Sequence, residues 1–253
     1  MSEFLRLEHV SFTYNGNWGE TPALRDVSFN VIEGEFVAII GPEGCGKSTL
    51  LSLIAGLLAP SGGCVYINGT SHKNSGKTIG YMLQTDQLLE WQNKLSRVIP
   101  CTIENKKLAD NNYLQINEGI NSYGIISFIN SYPSSHPESV RQRTALIKSL
   151  LKEPDLLLLD EPFSALNKDL RMEMADDIWQ MLRSEKKTVI LVAEDVEEAI
   201  CLADRVIVLS ARPATVTATF DLHLLETAGK PSAVYRSPEY ASCYETISKT
   251  LAG

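Results

Sequence analysis

The stretch GPEGCGKST, residues 41–49, constrains this chain more than any other part of its sequence. It follows the pattern G-x-x-x-x-G-K-S of a phosphate-binding loop, in which glycines let the backbone N–H groups curl around a phosphate. A short apolar run, 36–40, precedes it, and leucines at helical spacing follow it, including Leu50, Leu57 and Leu58. A strand, a glycine-rich turn and a helix are therefore predicted. A chance glycine turn is the disfavoured alternative.

The residues of this loop are predicted to act jointly in binding a nucleoside triphosphate. Lys47 is expected to reach the β- and γ-phosphates, and the Ser48 hydroxyl is expected to meet Mg²⁺. The helix that follows adds the positive end of its dipole. The predicted nucleotide-binding residues of the loop are Gly41, Pro42, Glu43, Gly44, Cys45, Gly46, Lys47, Ser48 and Thr49.

Two carboxylates follow a second apolar run. Residues 156–159 are four leucines, and Asp160 and Glu161 come directly after them. In a parallel sheet, the carboxyl ends of the strands face the ligand crevice. Asp160 is predicted to hold Mg²⁺ through water, and Glu161 to act as general base on the attacking water. The plainer alternative is a pair of carboxylates that caps a strand.

Composition excludes several classes of function. The formal net charge of −8 argues against a nucleic-acid partner, which would favour a basic face. The five cysteines lack a C-x-x-C pair, which is typical of free thiols in a reducing cytoplasm. No signal peptide is apparent at the N-terminus, and no apolar run reaches the length of a membrane span. Any membrane role is therefore expected to come through a partner.

Strand patterns alternate with helix patterns along most of the chain, which predicts an α/β fold with a mostly parallel sheet. Residues 1–84 and 154–220 are expected to form a nucleotide-binding core with an N-terminal antiparallel β part. Residues 85–153 are richer in Asn, Lys and Ser and are expected to form a mostly helical subdomain. Residues 221–253 are expected to be a C-terminal tail, helical over 238–251.

Together these motifs resemble the ATP-binding subunit of an ABC transporter, over residues 4–245. Residues 87–91 and 205–213 resemble the nitrate, sulfonate and taurine importer branch. The resemblance implies a phosphate-loop NTPase fold that binds ATP and Mg²⁺ and couples ATP hydrolysis to uptake of a small solute. It also implies transmembrane permease subunits, a second ATP-binding subunit and, indirectly, an extracytoplasmic solute-binding protein. The chain would then be cytoplasmic and peripheral on the inner face of the cell membrane.

The resemblance assigns roles to further residues. Tyr14 matches the aromatic residue that stacks on adenine, although a plain packing role in its strand stays open. Gln84 matches the glutamine that senses Mg²⁺ and the transport channel, so it is expected among both the metal ligands and the catalytic residues. Residues 164–167, SALN, resemble the loop that crosses to the partner subunit and usually ends in Asp.

Two positions depart from the family pattern. Pro137, Glu138 and Ser139 stand where the family has the serine and glycines of its signature, which hold ATP bound to the other subunit. A capped helix start that has stopped binding nucleotide is the favoured interpretation there. Glu194 stands where a histidine would touch the γ-phosphate, and this position is still counted among the catalytic ones. Its carboxylate is expected to turn to solvent or to cap the next helix.

These features leave three hypotheses. The chain is an ATP-hydrolysing motor subunit of an importer, or a degenerate or regulatory ATP-binding subunit of a heterodimer with little hydrolysis of its own. The third, a soluble ATPase of DNA repair or translation, is disfavoured by the acidic charge, the single domain and the importer-like segments. We expect ATPase activity that is weak in the isolated chain.

Overall fold

The structure is a computed structural model that describes residues 2–16, 19–71, 75–82, 154–164 and 166–252. The predicted helical subdomain 85–153, Gln84 and the segment with Pro137, Glu138 and Ser139 lie outside these residues.

A six-stranded sheet positions the loop and both carboxylates. Its strand order is β10-β9-β3-β8-β7-β6, and every neighbouring pair is parallel except β9 with β10. Its strands are β3 (Phe36–Ile40), β6 (Ile79–Met82), β7 (Leu156–Asp160), β8 (Thr188–Val192), β9 (Arg205–Leu209) and β10 (Val216–Asp221). All residues of β3, β7 and β8 are buried, as expected for strands covered on both faces. The predicted mostly parallel α/β fold is confirmed.

A second sheet is antiparallel and has the strand order β2-β1-β4-β5. It contains β1 (Glu3–Gly16), β2 (Gly19–Ile32), β4 (Gly62–Ile67) and β5 (Thr70–Ser71). A Cβ atom at Gly63 would lie 2.3 Å from the carbonyl oxygens of Glu8 and His9. The close approach of β4 to its neighbour β1 at this point therefore requires glycine. The predicted antiparallel β part is therefore present, and it carries Tyr14.

The helices among the described residues are α1 (Lys47–Ile54), α2 (Lys168–Ser184), α3 (Val196–Leu202), α4 (Leu224–Ala228), α5 (Pro231–Val234) and α6 (Tyr240–Ala252). The expectation that the helix after the loop continues through Leu57 and Leu58 is wrong. Gly56 has a φ of 73°, which ends the helical path, and Leu57 is 65 % exposed. No helix in these parts of the chain is both long and apolar enough to cross a membrane.

The C-terminal segment contributes to the core. Apolar side chains beyond residue 221 belong to the same buried cluster as those of β7, β8 and α3: Leu222, Leu224, Leu225, Val234 and Ile247. The sequence predicted one helix in this segment, and the structure has three, because α4 and α5 are too short to show helical periodicity. These helices pack behind α3, which begins directly after Glu194 and Asp195.

Candidate functional site

The loop between β3 and α1 makes a sharp turn directly before the N-terminus of a helix. Gly44 and Gly46 have φ values of 69° and 125°, a conformation that L side chains rarely adopt. α1 begins after Gly46, and no side chain caps it. The first N–H groups of the helix are therefore open to an anion, and the helix dipole favours one there.

Lys47 places its ammonium group over this turn. Its Nζ donates to the carbonyl oxygens of Gly41 at 2.8 Å and Pro42 at 3.2 Å. These acceptors are neutral, so the positive charge of Lys47 is held beside the loop without being cancelled. The arrangement fits a phosphate group, whose oxygens accept from backbone N–H groups and from lysine.

Tight packing under the loop fixes its shape. A Cβ atom at Gly41 would lie 2.9 Å from the Sγ atom of Cys45, and the Cys45 N–H donates to the Pro42 carbonyl at 3.2 Å. Burial raises the pKa of the Cys45 thiol, although the Lys47 charge opposes the shift. Glu43 is exposed, as expected for a position at which only the backbone N–H is needed.

Asp160, at the end of β7, faces Ser48 across the sheet edge. The Asp160 side chain is 2 % exposed, and its Oδ1 atom has no hydrogen-bond partner among the described residues. Burial raises the pKa of this carboxyl group, opposed by a hydrogen bond from Ser48 and by the Lys47 charge, while Glu161 adds to the rise. A buried carboxylate oxygen beside a hydroxyl suits Mg²⁺, which prefers oxygen ligands. Ser48 and Asp160 therefore fit the metal-binding residues of the prediction.

Glu161 follows in an uncommon backbone conformation, with a φ of 50°. Its N–H donates to the Val192 carbonyl at 3.0 Å, and its own carbonyl accepts from the Ser164 hydroxyl at 3.1 Å. The backbone of Glu161 is thus held between β8 and the following turn. A strained, well-anchored position at a sheet edge is typical of functional residues.

Tyr14, on β1, reaches the first turn of α1. Its hydroxyl lies 3.0 Å from the Thr49 Oγ1 atom, and the Phe12 ring packs edge-on against it at 4.8 Å. The Tyr14 side chain nevertheless stays 41 % exposed. Its position beside the loop is compatible with stacking on a base, and its contacts are compatible with packing.

Glu194 lies beyond the end of β8 and is paired with a cation. Its Oε2 atom lies 3.2 Å from Nη2 of Arg171, whose Nη1 lies 3.1 Å from Oδ2 of Asp195. Asp195 is the residue that caps α3, accepting the Glu198 N–H at 2.8 Å. The expectation that Glu194 caps the helix is wrong, since Asp195 does so. The Glu194 side chain is 44 % exposed, in line with the expected turn to solvent, and its carboxylate pairs with Arg171.

Sequence reasoning missed Arg171 and Glu198. These residues, with Lys168, Asp195, Glu197 and Tyr235, help to line a cavity of about 130 Å³ between α2, α3 and α5. Arg171 follows the SALN segment by four positions. The sequence signal for Arg171 was its place in the first turn of the helix that follows this segment. That place alone does not identify its acidic partner.

The loop 41–49, Asp160 and Glu161 therefore lie near one edge of the sheet, and Tyr14 reaches α1 from the second sheet. Glu194 follows the neighbouring strand β8, and its carboxylate contacts Arg171. Gln84 lies outside the described residues, two positions beyond the end of β6, so its predicted role stays a prediction. Within the described parts of the chain, no group of three or more His, Cys, Asp or Glu side chains could hold a metal. A cation here would depend on Ser48, Asp160 and a bound phosphate together.

The chain resembles known proteins over most of its length. The sequence profile of the ABC transporter family matches residues 24–164. The chain is 35 % identical over 248 residues to the uncharacterized ABC transporter ATP-binding protein YtlC of Bacillus subtilis, covering 98 % of this chain and 95 % of YtlC. It is 32 % identical to the taurine import ATP-binding protein TauB of Rhizobium johnstonii, covering 98 % of this chain and 96 % of TauB.

A solved structure has the same fold. It is the dimeric post-hydrolysis state of the ATP-binding cassette MJ0796 bound to ADP and Pi. The superposition has a TM-score of 0.76 at 26 % identity and covers 87 % of this chain and 99 % of that chain.

Proposed function

Because the chain belongs to the ABC transporter family, as an ATP-binding subunit, we propose that it binds MgATP at the loop 41–49 and powers an importer. The nucleotide-binding residues are those of the loop, with Tyr14 against the adenine. Ser48, Asp160 and Gln84 hold Mg²⁺. Residues 1–84 and 154–220 form the nucleotide-binding core in this proposal, and 85–153 the helical subdomain.

The observation that carries the proposal is that a cationic loop and a buried carboxylate lie at the same edge of the sheet. The Lys47 ammonium lies over a turn of open N–H groups, and the buried Asp160 oxygen without a described partner lies beside Ser48. The oxygens of a triphosphate would accept hydrogen bonds from Lys47 and the loop, and the triphosphate would share a cation with Asp160 and Ser48. A capped strand end alone would leave the buried Asp160 oxygen unsatisfied, which is costly.

The reaction is hydrolysis of the terminal phosphate. Bound MgATP supplies the phosphoanhydride bond whose cleavage drives transport. Glu161 acts as general base and takes a proton from the attacking water at its carboxylate. Its anchored backbone beside Val192 supports this role, since a base must be held within hydrogen-bond reach of its proton donor.

The partners in this proposal are transmembrane permease subunits and a second ATP-binding subunit, with an extracytoplasmic solute-binding protein acting indirectly. The chain is then cytoplasmic and peripheral on the inner face of the membrane. Support comes from the similarity to TauB, a taurine import ATP-binding protein, and from the dimeric state of MJ0796. The net charge of −8 speaks against nucleic acid as a partner.

A degenerate or regulatory subunit is the second candidate, favoured by Glu194 and by Pro137, Glu138 and Ser139 in the signature positions. In that case the chain binds ATP, and turnover depends on an intact second subunit. Turnover of the purified chain alone then stays below about 1 s⁻¹, the lower end of the ordinary range.

The test is phosphate release by the chain after co-expression with a candidate transmembrane permease from the same genome. We expect co-purification with the permease and turnover that Glu161→Gln removes while ATP binding is kept. The matched control is Glu185→Gln, an exposed acid directly after the end of α2. Equal turnover in wild type and Glu161→Gln would contradict the assignment of the base, and failure to associate with the permease would contradict the transporter role.

A further inference from the structure

Glu194 brings a negative charge to the edge of the sheet where a triphosphate is proposed to bind. The Ala193 N–H donates to the Ile39 carbonyl at 3.2 Å, two residues before the phosphate loop. On the other side, the Glu161 N–H donates to the Val192 carbonyl at 3.0 Å. Residue 194 is therefore held beside the loop and beside the proposed base. A free carboxylate at this place would repel ATP.

Arg171, in the first turn of α2, takes up this charge. Its two terminal nitrogens bind Glu194 at 3.2 Å and Asp195 at 3.1 Å, so one cation spans two neighbouring carboxylates. The Arg171 side chain is 21 % exposed, against 44 % for Glu194, so the pair is partly shielded from solvent. Partial burial makes such a charge-assisted contact stronger than an exposed ion pair.

The backbone at this position has anchors of its own besides the contacts with Arg171. The Glu194 N–H donates to Glu198 at 3.1 Å, and Asp195 caps α3 by accepting the Glu198 N–H. These contacts set where the backbone runs, whereas the direction of the Glu194 side chain depends on its contact with Arg171. Loss of Arg171 would free the carboxylate without removing the anchors of the segment.

We propose that Arg171 is a positioning residue that holds the Glu194 carboxylate away from the triphosphate and so lets this chain bind ATP despite an acid at that position. The inference rests on the proposed function, because it requires ATP at the loop 41–49. Arg171 also donates weakly to the Leu166 carbonyl, at 3.5 Å, which connects the pair to the SALN segment. The repulsion would act on the γ-phosphate, which ADP lacks, so loss of Arg171 should weaken the binding of ATP more than that of ADP.

The experiment is a double-mutant cycle read by calorimetry of ATP and ADP binding in the purified chain. Arg171→Gln is expected to weaken ATP binding about tenfold, or about 1.4 kcal/mol, and ADP binding less than about twofold. Glu194→Gln alone is expected to change ATP affinity much less than Arg171→Gln does, since its charge is already paired. The double variant Arg171→Gln with Glu194→Gln is expected to recover the wild-type affinity.

The matched control is Lys168→Gln. Lys168 lies in the same turn of α2 as Arg171, and its ammonium group pairs with Glu197 at 3.2 Å. An equal loss of ATP affinity in Lys168→Gln would overturn the proposal, because the effect would be one of general charge. So would additive effects of the two substitutions at 171 and 194. If Arg171→Gln fails to fold, a Glu194→Gln variant that by itself binds ATP about tenfold tighter would overturn it.

Failure of the proposed function gives a different result. A wild-type chain that binds neither nucleotide contradicts ATP binding itself and this inference with it. A wild-type chain that binds ATP but shows no coupling between positions 171 and 194 contradicts the role of Arg171 alone.

Discussion

The backbone N–H of Glu194 donates at 3.1 Å to the carboxyl group of Glu198, a side chain buried inside the structure. The other carboxyl oxygen of Glu198, Oε1, has no partner among the described residues. Burial raises the pKa of Glu198 to about 8, opposed by this hydrogen bond and by the Arg171 charge, while Asp195 and Glu194 raise it further. Burial therefore favours the protonated form of Glu198, which supports the residue that stands in the place of the expected histidine.

Stability is expected to depend on the protonation of Glu198. Its pKa rises on folding, from 4.5 to about 8, so the stabilisation is complete below pH 4.5 and is lost as pH rises to about 8. Glu198→Gln keeps an acceptor for the Glu194 N–H but cannot ionise. In urea unfolding between pH 5 and 8, the wild type should lose stability, and Glu198→Gln should lose much less.

The control for this measurement is Glu197→Gln, which changes a partly exposed carboxylate on the same helix. It should keep the wild-type dependence on pH. If Glu198→Gln showed the same slope as the wild type, ionisation of Glu198 would not be the cause.

Tyr14 is expected to contribute through its ring more than through its hydroxyl. Stacking of a base on an aromatic ring is worth about 1–3 kcal/mol, so Tyr14→Ala should weaken ATP binding by about 5- to 150-fold. Tyr14→Phe loses only the contact with Thr49 and should stay within about tenfold of wild type. Equal losses in the two variants, measured by calorimetry, would mean that the hydroxyl contact and not stacking gives Tyr14 its role.

Gly46 is expected to be the least replaceable glycine of the loop. It has a φ of 125°, and a Cβ atom there would lie 3.0 Å from Leu24 Cδ2 and 3.2 Å from the Ala23 carbonyl oxygen. Gly46→Ala should therefore lose ATP binding and destabilise the fold by about 1–3 kcal/mol. Gly44→Ala is the matched control, with a φ of 69° and no atom within 4 Å of the new Cβ.

The two variants can be compared by thermal unfolding and by ATP titration. Gly44→Ala should cost only about 1 kcal/mol of backbone strain and should keep measurable ATP binding. If Gly46→Ala bound ATP as well as Gly44→Ala, the close approach of β2 to the loop would not matter for the nucleotide.

The sequence predicted the loop, Asp160 and Glu161 because their signals are local. A phosphate-binding pattern lies within nine residues, and a run of leucines marks the strand that places Asp160. The pairing of Arg171 with Glu194 was not predictable in this way, since the two residues are 23 positions apart and meet only when α2 packs beside β8. Burial of Glu198 likewise depends on the C-terminal helices. Two of these are too short to show the periodicity of a helix in their sequence.

The most direct measurement is calorimetric titration of the chain with ATP in the presence of Mg²⁺, wild type against Lys47→Ala. Lys47 supplies the main point charge at the loop, so its loss should abolish detectable binding while the chain stays folded. Lys77→Ala is the control, because it removes an ammonium group that pairs with Asp155 at 3.0 Å. Saturable ATP binding in wild type and Lys77→Ala, absent in Lys47→Ala, is the predicted result. Unchanged ATP affinity in Lys47→Ala would contradict the assignment of residues 41–49 as the nucleotide site.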